Sequence, residues 1–141
     1  MSKLLLINVF CIIGASLTKA GVSMEEALIT HRKVTEECMA EVGATSSDLD
    51  DLVNEKATSG MEGKCLRACL LKKFGVMDSN GKMNREVILE HARVFTNNNV
   101  TKIQIVTEML DACLSIDVPS NHCEAAEEYG RCYKVQAIAP L

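Results

Sequence analysis

Cysteine is the residue type with the most chemistry to offer in this chain, and seven of them are spread over its length. Cys65 and Cys69 stand four residues apart, which puts both on one face of a helix. Side-chain β-carbons at that spacing lie about 5–6 Å apart, whereas a disulfide wants roughly 3.5–4.5 Å. The two thiols are therefore placed to reach two other segments rather than each other. Zinc is the rival chemistry, but the remaining cysteines are widely scattered instead of paired at finger spacing, so no metal site is expected. Hydrolytic chemistry has no support either: there is no Gly-x-Ser-x-Gly, no His-Glu-x-x-His and no Cys-x-x-Cys. His31, His91 and His122 are followed by Arg32, Ala92 and Cys123, so the His-Asp dyad of secreted phospholipases is missing. They read as ordinary helix residues able to titrate near neutral pH. Residues 78–82, Asp-Ser-Asn-Gly-Lys, resemble a calcium loop only at first sight. Lys82 falls where a ligand oxygen belongs and Met83 where the glycine belongs, which leaves a turn. No catalytic residue and no cofactor is expected.

Whether the thiols are oxidised depends on the compartment. Lys3 precedes an apolar run over residues 4–13, interrupted only by Asn8, and small residues follow at Gly14, Ser16, Thr18 and Ala20. The run is short of the roughly 20 residues needed to span a bilayer. A secretory signal peptide over residues 1–20 is the expectation, leaving an exported, soluble domain of residues 21–141. Removing it takes away Cys11 and leaves six cysteines, Cys38, Cys65, Cys69, Cys113, Cys123 and Cys132. An even set in a small exported chain reads as three disulfides. Six cysteines allow fifteen pairings. Excluding 65–69, and excluding 123–132 as about 13 Å apart along one helix, leaves ten open. Thirteen basic side chains then face nineteen acidic ones, which argues against nucleic acid and anionic membrane surfaces as partners.

The elements that must position these cysteines read as helices throughout. Residues 24–42 carry Ala27, Leu28, Val34, Cys38, Met39 and Val42 near a 3.6-residue period, with Ser23 as N-cap and Glu26 at the capping-box position. A short helix follows, capped by Ser46 or Ser47, with Leu49, Leu52 and Val53 inward. Gly60 and Gly63 mark a break, and the cysteine helix within the stretch Met61 to Phe74 stops at Gly75. Asn84 caps the next, and the Thr-Asn-Asn-Asn run at 96–99 breaks it. Residues 100–116 are apolar on much of their circumference, which predicts burial on several sides. A last helix spans 121–134, followed by an apolar tail, residues 135–141. Asn99-Val100-Thr101 is an N-glycosylation sequon, and Asn99 serves equally as a cap.

Leu, Ile, Val and Met dominate the apolar set, with no tryptophan. Most belong to a core, though Met also suits sites that accept several ligands. A helical domain of this size does not obviously need three cross-links. A pocket of roughly 300 Å³ would forgo about 7 kcal/mol, and disulfides at about 2–4 kcal/mol each are of the size to offset it.

The intervals between the six cysteines are 26, 3, 43, 9 and 8 residues. This pattern resembles the six-cysteine signature of the insect odorant-binding proteins, the pheromone-binding and general odorant-binding type, with the x3 and x8 intervals the most diagnostic. The 43-residue interval is long for that pattern but breaks no motif. The resemblance implies an all-α fold, a compact bundle of about six helices cross-linked by three disulfides around an apolar cavity. It implies the pairing Cys38–Cys69, Cys65–Cys123 and Cys113–Cys132. It also implies a non-enzymatic extracellular carrier of odorants, pheromones or fatty compounds that delivers them to membrane receptors, as a monomer or weak homodimer without membrane insertion.

The resemblance fixes only the cysteines. Helical faces put Leu71, Phe74, Val87, Phe95, Val106, Met109, Leu110 and Tyr133 forward as pocket residues, with Ile138 of the tail as a wall or lid. The Tyr133 hydroxyl is the expected hydrogen-bonding group. The runner-up is a saposin-like protein that opens its apolar face onto lipid surfaces; a phospholipase-like secreted enzyme comes third.

Overall fold

The computed structural model describes residues 24–58 and 60–138, with the side chains of Met24 and Ile138 outside that description. The expected signal peptide, Ser23 as a cap, and Ala139, Pro140 and Leu141 of the tail also lie outside it.

Local rules set most helix ends. Helix α1, Met24–Val42, stops at Gly43, whose φ of +70° suits a residue without a β-carbon, and Ala44 N–H donates back to the Met39 carbonyl at 3.0 Å. Helix α2, Ser46–Val53, is capped by Thr45 rather than by Ser46 or Ser47. The reason is a reciprocal box: Thr45 Oγ1 accepts from Asp48 N–H at 3.3 Å while Asp48 accepts from Thr45 N–H at 2.7 Å. Helix α3, Met61–Lys73, ends at Phe74 and Gly75, with Val76 N–H closing onto Leu71 O at 2.8 Å. The turn after it is built by Asp78, whose carboxylate accepts from Asn80 N–H at 2.8 Å and Lys82 N–H at 3.0 Å. Asn84 and Asn99 cap helices α4, Arg85–Phe95, and α5, Val100–Leu114, as the sequence predicts. Helix α6, His122–Ile138, begins with Asn121 accepting from Glu124 N–H at 3.1 Å. It runs on past residue 134, so Val135, Gln136 and Ala137 are helix and not a separate tail.

Among the described residues there are six helices, and α3 is the one around which the others are arranged. It packs against α1, α2 and α6, while α5 packs against α6 and α4. The disulfides follow that order. Cys38–Cys69 joins α1 to α3, Cys65–Cys123 joins α3 to α6, and Cys113–Cys132 joins α6 to α5, with Cα separations of 5.7, 4.4 and 5.7 Å. This is the pairing that the family resemblance implies, and Cys65 and Cys69 do reach opposite ways. Helices α2 and α4 carry no cross-link. A two-pronged ion pair from Arg85 on α4 to Asp111 on α5, at 2.8 and 3.2 Å, holds the latter pair together.

The core is divided. One group gathers Ala68, Met77, Ala125, Ala126 and Tyr129; a second Val76, Ile88, Leu89 and Leu110; a third Cys38, Leu66 and Leu70. Leu71, Phe74 and Tyr133 are half-buried and bridge between them. Two expectations are corrected. Helix α5 is not buried on several sides: Met109, Leu110 and Cys113 are buried, but Val100 is 79% exposed, because among the described residues α4 and α6 are the helices that pack closely against it. Leu28, expected inward on α1, is exposed because the buried stripe runs through Ala27, Thr35 and Cys38.

The cross-links should differ in worth. In the chain-entropy picture, removing Cys65–Cys123, which closes the longest loop at a separation of 58, costs about 4 kcal/mol, and removing Cys113–Cys132, at 19, about 3. Urea unfolding of paired Cys→Ala variants measures the order.

Candidate ligand-binding cavity

The division of the core leaves room between α1, α2, α3 and α6. A cavity of about 560 Å³ lies there, closed on one side by residues 55–57 of the α2–α3 connection. Its volume is in the range of small-molecule sites. Helix spacing explains the wall: His31, Thr35 and Met39 recur every fourth residue on one face of α1. Leu49 and Leu52 of α2 and Leu70 and Leu71 of α3 supply the rest of the apolar surface. No residue of α2 is fully buried, because Leu49 and Leu52 pack on the Cys38, Leu66 and Leu70 group on one side and border this space on the other.

The polar part of the wall is concentrated on one side. Glu127 of α6 is buried, and its carboxylate accepts from Thr58 N–H at 3.2 Å and from Thr58 Oγ1 at 2.9 Å. Thr58 thereby ties the α2–α3 connection to α6. A second tether is Lys134 Nζ, which donates to the Glu55 carbonyl at 2.7 Å. Glu55 takes a left-handed φ of 55°, which turns the chain over the cavity. Arg67 Nε lies 3.5 Å from Glu127, and its guanidinium rests against Gly130, where a β-carbon would come within 2.8 Å of Nη1. Only glycine leaves that seat open. Across the space, His31 stacks on Phe74 with ring centroids 5.4 Å apart and an interplanar angle of 13°. Burial pushes the His31 imidazole below its usual value of 6.5. Buried His91, away from the cavity on α4, is also pushed down, with Glu90 acting in the opposite sense.

Of the residues put forward from sequence, Leu71 and Tyr133 line this cavity and Phe74 backs it through His31. Val87 and Leu110 instead belong to the second core group. Phe95 and Val106 are half-buried on α4 and α5, Met109 is buried on α5, and none of the three lines the cavity. The side chain of Ile138 lies outside the described residues. The α1 and α2 walls and the Arg67–Glu127 pair are not among the residues that helical periodicity puts forward. The signal for the first was there, a polar His31 and Thr35 in line with Met39 on an otherwise core-facing stripe. Arg67 and Glu127 give no such sign, since charged residues normally read as solvent-facing.

With six helices among the described residues, three disulfides in this order and a partly open cavity in place, comparison with known proteins is decisive. The family model for the PBP/GOBP family matches residues 21–136. The chain belongs to that family. General odorant-binding protein 28a of Drosophila melanogaster is 44% identical over 126 residues, covering 89% of this chain and 87% of that protein. General odorant-binding protein 19d of the same fly is 35% identical over 133 residues, covering 94% and 86%. The solved structure of the Drosophila melanogaster protein 28a matches with a TM-score of 0.69 at 45% identity, over 80% of this chain and 93% of that one. A fatty acid binding protein from the oral disk of the blowfly Phormia regina shares the fold, with a TM-score of 0.63 at 18% identity over 84% and 96%.

Two outcomes follow from the geometry. Thr58→Val removes a donor from a buried carboxylate and should destabilise the protein by about 1–3 kcal/mol in urea unfolding. The lowered His31 value means that the unfolded chain takes up a proton the folded chain resists, so its contribution is complete above 6.5 and is lost as the pH falls below it. The urea midpoint should therefore drop between about pH 7.5 and pH 5.5, and less steeply in His31→Gln.

Proposed function

We propose that the mature chain is an exported, non-enzymatic carrier that encloses one small hydrophobic ligand in the cavity between α1, α2, α3 and α6. The observation that carries this reading is the cavity itself, about 560 Å³ with leucine and methionine on its apolar side, in a chain of the PBP/GOBP family. The signal peptide over residues 1–20 and the domain over 21–141 belong to the same reading, as does handing the ligand to a membrane receptor. The odorant-binding names of the two Drosophila relatives support it. Among the described residues no helix is long and apolar enough to cross a membrane. The Asn99 sequon is compatible with export: Asn99 is exposed and caps α5 through its side-chain Oδ1, 3.0 Å from Lys102 N.

A ligand of about 20 heavy atoms at roughly 0.3 kcal/mol per atom gains near 6 kcal/mol, which sets the expected dissociation constant at tens of micromolar or tighter. Oxidised mature protein should take up the fluorescent apolar probe N-phenylnaphthylamine and release it to odorants and fatty ligands. Leu52→Trp, which puts an indole into the cavity, should weaken uptake about tenfold or more. Binding to lipid vesicles with no saturable probe site would instead favour the lipid-surface alternative.

A further inference from the structure

The apolar side of the cavity explains why a ligand enters, and the polar side bears on which ligand it is. We propose that the Arg67 guanidinium, seated over Gly130 beside the buried Glu127, is a head-group subsite for a carboxylate whose alkyl tail lies against Met39, Leu52 and Leu70. This deepens the carrier reading and rests on it.

Two ion pairs in the chain can be compared. Arg85 meets Asp111 with both prongs of its fork, at 2.8 and 3.2 Å, on the open surface. Arg67 meets Glu127 only through Nε at 3.5 Å, too long for a good hydrogen bond, and Nε is buried without a hydrogen-bond partner. Glu127 is instead oriented by Thr58, whose N–H and hydroxyl each donate to one of its oxygens. The guanidinium is anchored by charge, with its side chain 20% exposed, and its Nε is a buried donor without a hydrogen-bond acceptor. Buried donors without acceptors are costly, and each one in a native protein calls for a partner. A planar fork of donors at the edge of an apolar space is matched by a carboxylate bearing a hydrocarbon tail.

The surrounding charge points the same way. Arg32, Lys56, Arg67, Arg131 and Lys134 line the cavity against Glu36, Glu55 and Glu127, a positive balance in an acidic chain. The exposed Arg131 is offset by Glu128 at 2.9 Å and adds little. The subsite therefore rests on Arg67, which sits deepest beside the buried carboxylate.

Laurate, dodecanol and methyl laurate test this, since they carry the same tail behind an anionic, a hydroxyl and an ester head. Each is titrated against N-phenylnaphthylamine bound to the oxidised mature protein at neutral pH. The expected result is a preference of about tenfold for laurate over the other two. Arg67→Lys keeps a cation beside Glu127 but loses the fork, and Gly130→Ala displaces the fork by filling its seat; each should reduce that ratio to about threefold or less. Probe uptake by the same samples reports that the variants are folded. Equal displacement by all three ligands in the wild type overturns the head-group subsite and leaves the carrier reading intact. A laurate preference unchanged in both variants overturns its assignment to Arg67. Displacement by none of them overturns the carrier reading as well.

Discussion

Two thiols one helical turn apart on α3, each bonded to a different helix, are the constraint on which the rest of the structure depends. Cys69 draws α1 onto one side of α3 and Cys65 draws α6 onto the other. The third bridge then carries the linkage from α6 to α5. The result is a series of four helices whose order is set covalently, with α2 and α4 added by packing and polar contacts. Because the series has α3 in the middle and not at an edge, its flanking helices need not meet each other. The space between them is what becomes the cavity.

An opening of that size has a cost. Were it a closed dry void, a space of about 560 Å³ would forgo about 13 kcal/mol of packing at about 24 cal/mol per Å³, and its partial opening to solvent makes that an upper bound. Three cross-links closing loops of these lengths offset about 11 kcal/mol through the unfolded state. The two terms are close in size, and they act on different states of the chain. Contacts that a filled core would make in the folded state are replaced by restrictions on the unfolded one. That substitution keeps a helical domain stable while leaving its centre open to a ligand.

The wall of the cavity serves more than one purpose. Glu127 anchors the α2–α3 connection through Thr58 and holds Arg67 by charge, so a single buried carboxylate couples the closure of the cavity to its polar lining. Gly130 provides the space into which the guanidinium lies, and a β-carbon there would push the end of the arginine aside without disturbing the backbone. His31 lines the cavity from α1 with Phe74 stacked behind it, and burial pushes the imidazole below its usual value.

Much of this architecture is legible in the residues. The caps at Asn84 and Asn99, the stops at Gly43 and Gly75 and the Asp78 turn follow from interactions within a few positions, so local sequence determines them. The cysteine intervals determine the family, and through it the bridges, because no local geometry chooses among ten remaining pairings. Helix periodicity correctly places Leu71 and Tyr133 on inward faces. It says nothing of what those faces meet, and so it treats Val87 and Leu110, which are core, and Leu71, which lines a cavity, as the same kind of position. It also reads the apolar α5 as enclosed, whereas the distance of other helices leaves Val100 in solvent. Arg67 and Glu127 are the clearest case. Their burial comes from the approach of α6 to α3 under the Cys65–Cys123 bridge, and their chemistry depends on Thr58 from a third segment. Only the tertiary structure decides that, because a charge becomes a binding group through what surrounds it, and its surroundings are drawn from residues 60 or more positions away.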